Sequence, residues 1–223
     1  MHGYGDNLAS VAVDRLDLDD QVEFIFTYLE AKKLEKVWLV GHSVGGALAM
    51  LFAAKFPKMV LGIVNIEGNF TLGDAFWSQR ISKLDASSWQ KEYETLCGDP
   101  AKWLSDGGIQ PTDRRIQWAR EVLCYQNAKT IQSVAKTVVE RTGRENYLEL
   151  IQKVLESEIP VFLYAGENSR KDWNVPDFVL ERAAQVTIHP STGHMMMLED
   201  PDEFCKNLER MMGTMRKSKN RGG

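Results

Sequence analysis

The sequence has few cysteines, no long apolar run and no large excess of charge. Its three cysteines are an odd number without the spacing of metal ligands, so we expect reduced thiols in a cytoplasmic protein. No apolar run reaches the roughly 18–20 residues that a membrane helix needs, and the first residues do not resemble a signal peptide. A net charge of −4 argues against nucleic acid or an anionic membrane surface as the main partner.

The overall composition is that of a globular protein. Hydrophobic residues make up 43% of the 223 residues and charged residues 26%, which excludes collagen-like, low-complexity and wholly disordered chains. This length can bury a sizeable core and suits one domain with an insertion.

Short apolar runs alternate with helical segments. Strands are predicted at residues 37–40, 60–66, 161–165 and 185–188. Helices are predicted at residues 17–33, at residues 45–56, and after Asp200, a plausible N-cap residue. The first three apolar runs show little polar alternation, as expected for parallel strands covered on both faces. The sequence therefore predicts an α/β fold with a mostly parallel sheet flanked by helices.

The stretch between the second and third predicted strands differs from the rest. It shows several helical periods and no convincing strand, and it is too long for a loop. We therefore predict an α/β core at residues 1–68 and 158–215 and a helical insertion at residues 69–157. Residues 216–223 are basic and lack apolar side chains, which predicts a flexible tail.

A Gly-x-Ser-x-Gly motif follows the first predicted strand and opens a helix. Residues 41–46 read GHSVGG, and this strand–turn–helix context is that of a nucleophile elbow. The glycines permit a sharp turn, so that the Ser43 hydroxyl projects above the carboxyl edge of the sheet near the positive helix N-terminus. The backbone N–H of Val44 can donate to a developing oxyanion at the same place.

A serine nucleophile needs a base, and the chain has four histidines. His2 is at the terminus, His42 adjoins the nucleophile, and His189 ends the last strand, where a structural role is expected. His194 lies between the last strand and the last helix, at the same sheet edge as Ser43. We therefore predict His194 as the base.

These features together resemble the α/β-hydrolase superfamily. The resemblance rests on the elbow, on the order serine before histidine, on the opening HGYGDN at residues 2–7, and on the acidic and apolar residues after His194. It implies hydrolysis by a serine, a histidine and an acid on a small-molecule substrate, with no metal or organic cofactor. It also implies that residues 69–157 form a cap domain.

Several carboxylates are candidates for the third member of the predicted triad. Many superfamily members carry an aspartate in a Gly-x-x-Asp loop after the third predicted strand, where this chain has Ser169. Glu167 and Asp172 lie nearby but out of register. Glu67 stands at the end of the second predicted strand. This placement of the acid resembles that in the haloalkane dehalogenase and coelenterazine luciferase branch. An unpartnered acid there would be costly to desolvate, so we predict that Glu67 orients His194, with Glu167 and Asp172 as reserve acids.

Three further residues are predicted to line a substrate pocket. Trp77 is the tryptophan of the insertion expected to face substrate, Met195 follows the histidine directly, and His42 adjoins the nucleophile. The favoured function is hydrolysis of a small apolar carboxylic ester. Two alternatives remain open: carbon–carbon bond hydrolysis of a diketone-type substrate, and a non-catalytic relative of the hydrolases.

The opening of the chain carries one more expectation. In the superfamily the HGYGDN loop follows a strand, whereas here only Met1 precedes it. The resemblance thus implies a hydrolase fold that is incomplete at its N-terminus, without the first strands and the second oxyanion donor that they usually supply. The oligomeric state is not indicated by the sequence.

Overall fold

The computed structural model describes residues 16–219, which form two compact units. The sheet unit contains Lys33–Phe70 and residues 148–219, and the helical unit contains residues 16–32 and Thr71–Tyr147. The predicted insertion, residues 69–157, begins near the boundary between these units, and its role as a cap remains a prediction. The glycine-rich opening at residues 2–7 and the last four residues of the predicted tail lie outside the described residues.

Four parallel strands form the sheet, in the order β1-β2-β3-β4. They are β1 (Val37–His42), β2 (Val60–Ile66), β3 (Val161–Gly166) and β4 (Gln185–His189). Each begins at its predicted residue and ends within two residues of its predicted end. The α/β class and the mostly parallel sheet are therefore confirmed.

Helices of the sheet unit follow its strands. They are α2 (Val44–Lys55), the greater part of α8 (Glu145–Glu156), α9 (Asp177–Arg182), α10 (Met196–Glu199) and α11 (Pro201–Lys219). All residues from Gly46 to Ala53 in α2 are buried, as its alanine-rich and uniformly apolar sequence predicts. The carboxylate of Asp200 accepts a hydrogen bond from the backbone N–H of Glu203 at 3.2 Å, which confirms its capping position before α11.

The core of the sheet unit lies between β2, β3 and the C-terminal helices. Val64, Ile66, Phe162, Tyr164, Met196 and Met211 are buried there as one cluster. Burying a side chain of this size stabilises the fold by about 1.5–3 kcal/mol. The packing fixes β2 and β3 side by side, and therefore fixes the positions of the residues that follow them.

The helical unit consists of α1 (Leu18–Ala31), α3 (Phe76–Lys83), α4 (Ala86–Gly98), α5 (Pro100–Asp106), α6 (Asp113–Cys124) and α7 (Ala128–Thr142). Its core centres on Trp89, whose indole N–H donates to the carbonyl of Ala128 at 2.7 Å. Leu16 is bonded to α7 through the hydroxyls of Ser133 and Thr137. Within residues 16–219, no helix combines the length and apolarity needed to cross a membrane.

Candidate active site

The candidate site lies at the carboxyl edge of the sheet. Because all four strands are parallel, the residues that follow β1, β2, β3 and β4 lie along one edge. Ser43, Glu67 and His194 come from three of these strand ends.

Ser43 occupies a strained turn between β1 and α2. Its φ of 52° and ψ of −121° are unusual for a residue with a side chain, and its backbone N–H donates to the carbonyl of Ile66 at 3.0 Å. A Cβ atom at Gly41 would lie 2.2 Å from the carbonyl oxygen of Gly45, and one at Gly46 would lie 2.6 Å from Cα of Gly68. Glycine is therefore required at both positions for the strand, the helix and the turn after β2 to approach.

Val44 is the first residue of α2. The N–H groups of a first helical turn have no acceptor within their own helix, and the helix dipole makes that end positive. The backbone at Val44 can therefore stabilise an anion next to Ser43.

The carboxylate of Glu67 is buried and held by three donors. Glu67 has a φ of 43° and is 5% exposed. Its Oε1 accepts hydrogen bonds from the backbone N–H of Gly166 at 2.8 Å and the hydroxyl of Ser169 at 2.5 Å. Its Oε2 lies 2.6 Å from Nδ1 of His194. The structure thus brings together Glu67 and His194, whose catalytic roles remain predictions.

The hydrogen bonds favour the ionised form of Glu67. Burial is the largest single influence and raises its pKa, but it is outweighed by the hydrogen bonds from His194, Ser169 and Gly166 together with the electrostatic attraction of His194. The pKa of Glu67 is consequently lowered from its ordinary value. An ionised carboxylate accepts hydrogen bonds only, so the imidazole of His194 donates from Nδ1.

The loop between β4 and α10 presents His194. The backbone N–H of Gly193 donates to Glu199 at 2.7 Å, and the carbonyl of Thr192 accepts from Asn168 at 2.9 Å. The side chain of His194 is 44% exposed, although its Nδ1 contacts the buried Glu67. In the neutral ring, Nε2 is then the atom free to accept a proton.

His42 packs against His194. The two ring centroids are 4.4 Å apart, and Nε2 of His42 lies 3.0 Å from the carbonyl oxygen of His194. Desolvation by burial, together with the neighbouring His194, lowers the pKa of His42 to about 3. His42 is therefore a neutral hydrogen-bond donor at neutral pH. Sequence analysis predicted substrate binding for His42 and did not foresee this contact.

The two reserve acids have different surroundings. The carboxylate of Glu167 accepts a hydrogen bond from the backbone N–H of Ser191 at 2.8 Å, which fastens the loop after β3 to the loop after β4. Asp172 is exposed in a short 3₁₀ helix, Arg170–Asp172. Of the three candidate carboxylates, Glu67 is the one hydrogen-bonded to His194.

The two remaining predicted pocket residues lie in different units. Met195 directly precedes α10 and is half-buried in the sheet unit. Trp77 lies on α3 of the helical unit, 44% exposed, with its ring edge-on to Trp89 at a centroid distance of 6.0 Å. Substrate contacts of Trp77 and Met195 remain predictions.

A second polar network lies beside the site and was not predicted. The hydroxyl of Tyr164 lies 2.7 Å from Nδ1 of the buried His189 and accepts from the amide of Asn207 at 3.0 Å. Nε2 of His189 lies 3.4 Å from the Asp200 carboxylate. Because His189 immediately precedes the loop that carries His194, the network anchors that loop to β3 and α11. No periodic pattern in the sequence predicts this network.

Among residues 16–219, no three histidine, cysteine, aspartate or glutamate side chains cluster as metal ligands. The polar groups at the sheet edge are a serine, a histidine and a carboxylate, with backbone N–H groups nearby. These are the components of acyl transfer by a nucleophilic serine.

The fold and this arrangement define an α/β-hydrolase. The sequence pattern of the alpha/beta hydrolase fold family matches residues 2–201, and the chain belongs to that family. It is accordingly an enzyme of the hydrolase class.

Known relatives include both esterases and a synthase. The chain is 24% identical over 214 residues to 2-succinyl-6-hydroxy-2,4-cyclohexadiene-1-carboxylate synthase of Serratia proteamaculans, covering 94% of this chain and 80% of the relative. A carboxylesterase structure from Nitrososphaera gargenis matches with a TM-score of 0.74 at 17% identity, over 98% of this chain and 79% of that one. MenH of S. aureus matches with a TM-score of 0.70 at 17% identity, over 97% and 81%. These two structures share the fold.

Proposed function

We propose that the protein is a serine hydrolase that cleaves a small apolar carboxylic ester through Ser43, His194 and Glu67. The observation that carries the proposal is the 2.6 Å contact between Nδ1 of His194 and Oε2 of a buried, ionised Glu67. This contact sets the tautomer that leaves Nε2 as a base, which a serine nucleophile requires.

The proposed reaction has two halves. The Oγ of Ser43 attacks the ester carbonyl carbon while Nε2 of His194 accepts the hydroxyl proton, and the backbone N–H of Val44 donates to the resulting oxyanion. His194 then protonates the leaving alcohol, which departs and leaves an acyl-enzyme. Water attacks the acyl-enzyme with His194 again as base, releasing the acid and restoring Ser43. Glu67 remains ionised and stabilises the imidazolium.

The substrate pocket belongs to the same proposal. It assigns one substrate contact to Trp77, which lies in the predicted cap at residues 69–157, and another to Met195, which follows His194. Such apolar and polarizable side chains suit an apolar acyl or alkoxy group. Trp77→Ala is expected to raise KM for apolar esters with little change in kcat, because its contacts would be made equally in the ground and transition states.

Carbon–carbon bond hydrolysis is the second candidate. Its support is the 24% identity over 94% of this chain to an enzyme named as the synthase of a cyclohexadiene carboxylate, a compound that is not a simple ester. A substrate panel of short-chain and aromatic p-nitrophenyl esters, with a vinylogous diketone included, separates the two reactions.

The deciding experiment combines turnover with covalent labelling. The wild-type protein should hydrolyse at least one ester and bind a fluorophosphonate probe at Ser43, whereas Ser43→Ala should do neither. Glu67→Gln should fold normally and lose orders of magnitude in kcat, whereas the matched control Glu167→Gln should retain activity. Loss of turnover in Glu167→Gln alone would contradict the assignment of the acid. Absence of labelling in folded wild-type protein would contradict the serine mechanism.

A further inference from the structure

Ser169 contacts the carboxylate of Glu67 from a different strand end. Its hydroxyl lies 2.5 Å from Oε1 of Glu67 and 3.4 Å from the carbonyl oxygen of Gly166. Since a hydrogen bond to an ionised carboxylate is shorter and stronger than one to a neutral carbonyl, the hydroxyl proton is directed to Glu67. The backbone N–H of Gly166 donates to the same oxygen at 2.8 Å.

Because both donors bind Oε1, the two carboxylate oxygens of Glu67 have different partners. With Oε1 occupied by Ser169 and Gly166, Oε2 is the oxygen directed to His194, at 2.6 Å. A glutamate side chain has several rotatable bonds and loses considerable freedom when it is fixed. Donors on Oε1 therefore hold the plane of the carboxylate in the orientation that His194 requires.

The loop that carries Ser169 is itself joined to the loop that carries His194. The backbone N–H of Asn168 donates to the carbonyl of Thr192 at 2.9 Å. A Cβ atom at Gly166 would lie 2.4 Å from the carbonyl oxygen of Gly193, so the two loops touch through their backbones. Movement of the Ser169 hydroxyl relative to His194 is thereby limited.

We propose that Ser169 is a positioning residue that fixes the rotation of the Glu67 carboxylate and shares its negative charge, so that His194 has the orientation and basicity needed for catalysis. The proposal deepens the proposed function and rests on it. Ser169 acts through Glu67 and does not touch the reacting atoms.

Removal of the Ser169 hydroxyl should shift the pH profile of kcat/KM. The titratable groups that face Glu67 among the described residues are His194 and, beyond it, His42. Loss of the Ser169 donor raises the pKa of Glu67, because one hydrogen bond to its ionised form is gone. The acidic limb of kcat/KM therefore moves to higher pH.

The test compares Ser169→Ala, Ser169→Thr and the neighbouring control Asn168→Ala, whose side chain is exposed. Ser169→Ala should lower kcat about tenfold with KM nearly unchanged and should shift the acidic limb upward by several tenths of a pH unit. Ser169→Thr retains the hydroxyl and should recover most of the loss, and Asn168→Ala should match the wild type. Circular dichroism and thermal unfolding establish that each variant is folded.

Two results would overturn the proposal. One is a folded Ser169→Ala with unchanged kcat and acidic limb, or with an effect on KM alone. The other is a Ser169→Thr variant as impaired as Ser169→Ala. A second readout is independent of turnover: the downfield proton NMR resonance of the His194 Nδ1–H should move in Ser169→Ala and not in Asn168→Ala. If the wild type neither hydrolyses esters nor labels at Ser43, the proposed function fails, while this resonance still decides whether Ser169 acts on the Glu67–His194 pair.

Discussion

The imidazole of His42 lies against the imidazole of His194, with ring centroids 4.4 Å apart and an interplanar angle of 40°. His42 also donates from Nε2 to the carbonyl oxygen of His194 at 3.0 Å. The proposed base is therefore held by Glu67 through its ring and by His42 through its backbone. Because the pKa of His42 is lowered to about 3, the neighbouring ring adds no positive charge when His194 takes up a proton.

Substitution of His42 separates positioning from substrate binding. His42→Phe keeps a flat ring against His194 but removes the bond to its carbonyl, and we expect kcat to fall about tenfold with KM little changed. His42→Gln can still offer an N–H donor and should lose less. Steady-state kinetics on the best ester of the panel measure both constants. A rise in KM without a change in kcat would instead support substrate binding by His42.

Burial of a neutral His42 makes stability depend on pH. The pKa of His42 falls from an ordinary 6.5 to about 3 in the folded protein, so the unfolded chain binds the proton more readily. The stabilisation is complete above pH 6.5 and is lost as the pH falls toward 3, by at most about 1.4 kcal/mol per pH unit. The free energy of unfolding, measured with urea, should therefore fall more steeply between pH 7 and pH 4.5 for the wild type than for His42→Gln. Parallel curves would contradict the prediction.

Two glycines of the elbow should respond in opposite ways to alanine. At Gly41 a Cβ would lie 2.2 Å from the backbone oxygen of Gly45, so Gly41→Ala forces the strand and helix apart and should destabilise the protein by about 2 kcal/mol or more. At Gly45 a Cβ would meet nothing within 4 Å, and Gly45→Ala in α2 should be neutral or stabilising by up to about 1 kcal/mol. Thermal unfolding of the pair measures the contrast. Equal destabilisation in both would show that space at the elbow is not the limiting factor.

The Tyr164 hydroxyl should be important for stability. Tyr164→Phe leaves the Asn207 amide and Nδ1 of His189 without their shared partner in a buried place, and we expect a loss of about 1–3 kcal/mol in the free energy of unfolding. A double-mutant cycle with Asn207→Ala measures the coupling free energy between Tyr164 and Asn207. Strict additivity of the two losses would contradict coupling through the hydroxyl.

The sequence predicted those parts of the molecule that depend on local pattern. The strand around Val64 could be predicted because continuous apolar runs mark buried parallel strands, and Ser43 could be singled out because its turn needs glycines at fixed spacing. The pairing of Glu67 with His194 was predicted from the resemblance to the haloalkane dehalogenase and coelenterazine luciferase branch and from the cost of desolvating an unpartnered acid at a strand end.

Other features depend on contacts that no local pattern signals. Ser169 and Glu67 are 102 positions apart, and their bond requires a left-handed turn at Glu67, whose φ is 43°. The ring of His42 could face either a substrate or His194, and only the path of the loop after β4 decides between them. For the same reason, His189 was expected to be structural without any indication of its partner Tyr164.

The distance in sequence between Glu67 and His194 has a consequence for synthesis. These residues are 127 positions apart, so at a translation rate of about 5–20 residues per second His194 emerges roughly 6–25 s after Glu67. For most of that interval β1 and β2 can pair while β3, which ends at Gly166, has not yet been made, so the edge of β2 that later pairs with β3 stays open to other strands. A nascent chain therefore passes through a catalytically silent stage with an open strand edge, and the contact between Glu67 and His194 can form only after residue 194 has been made.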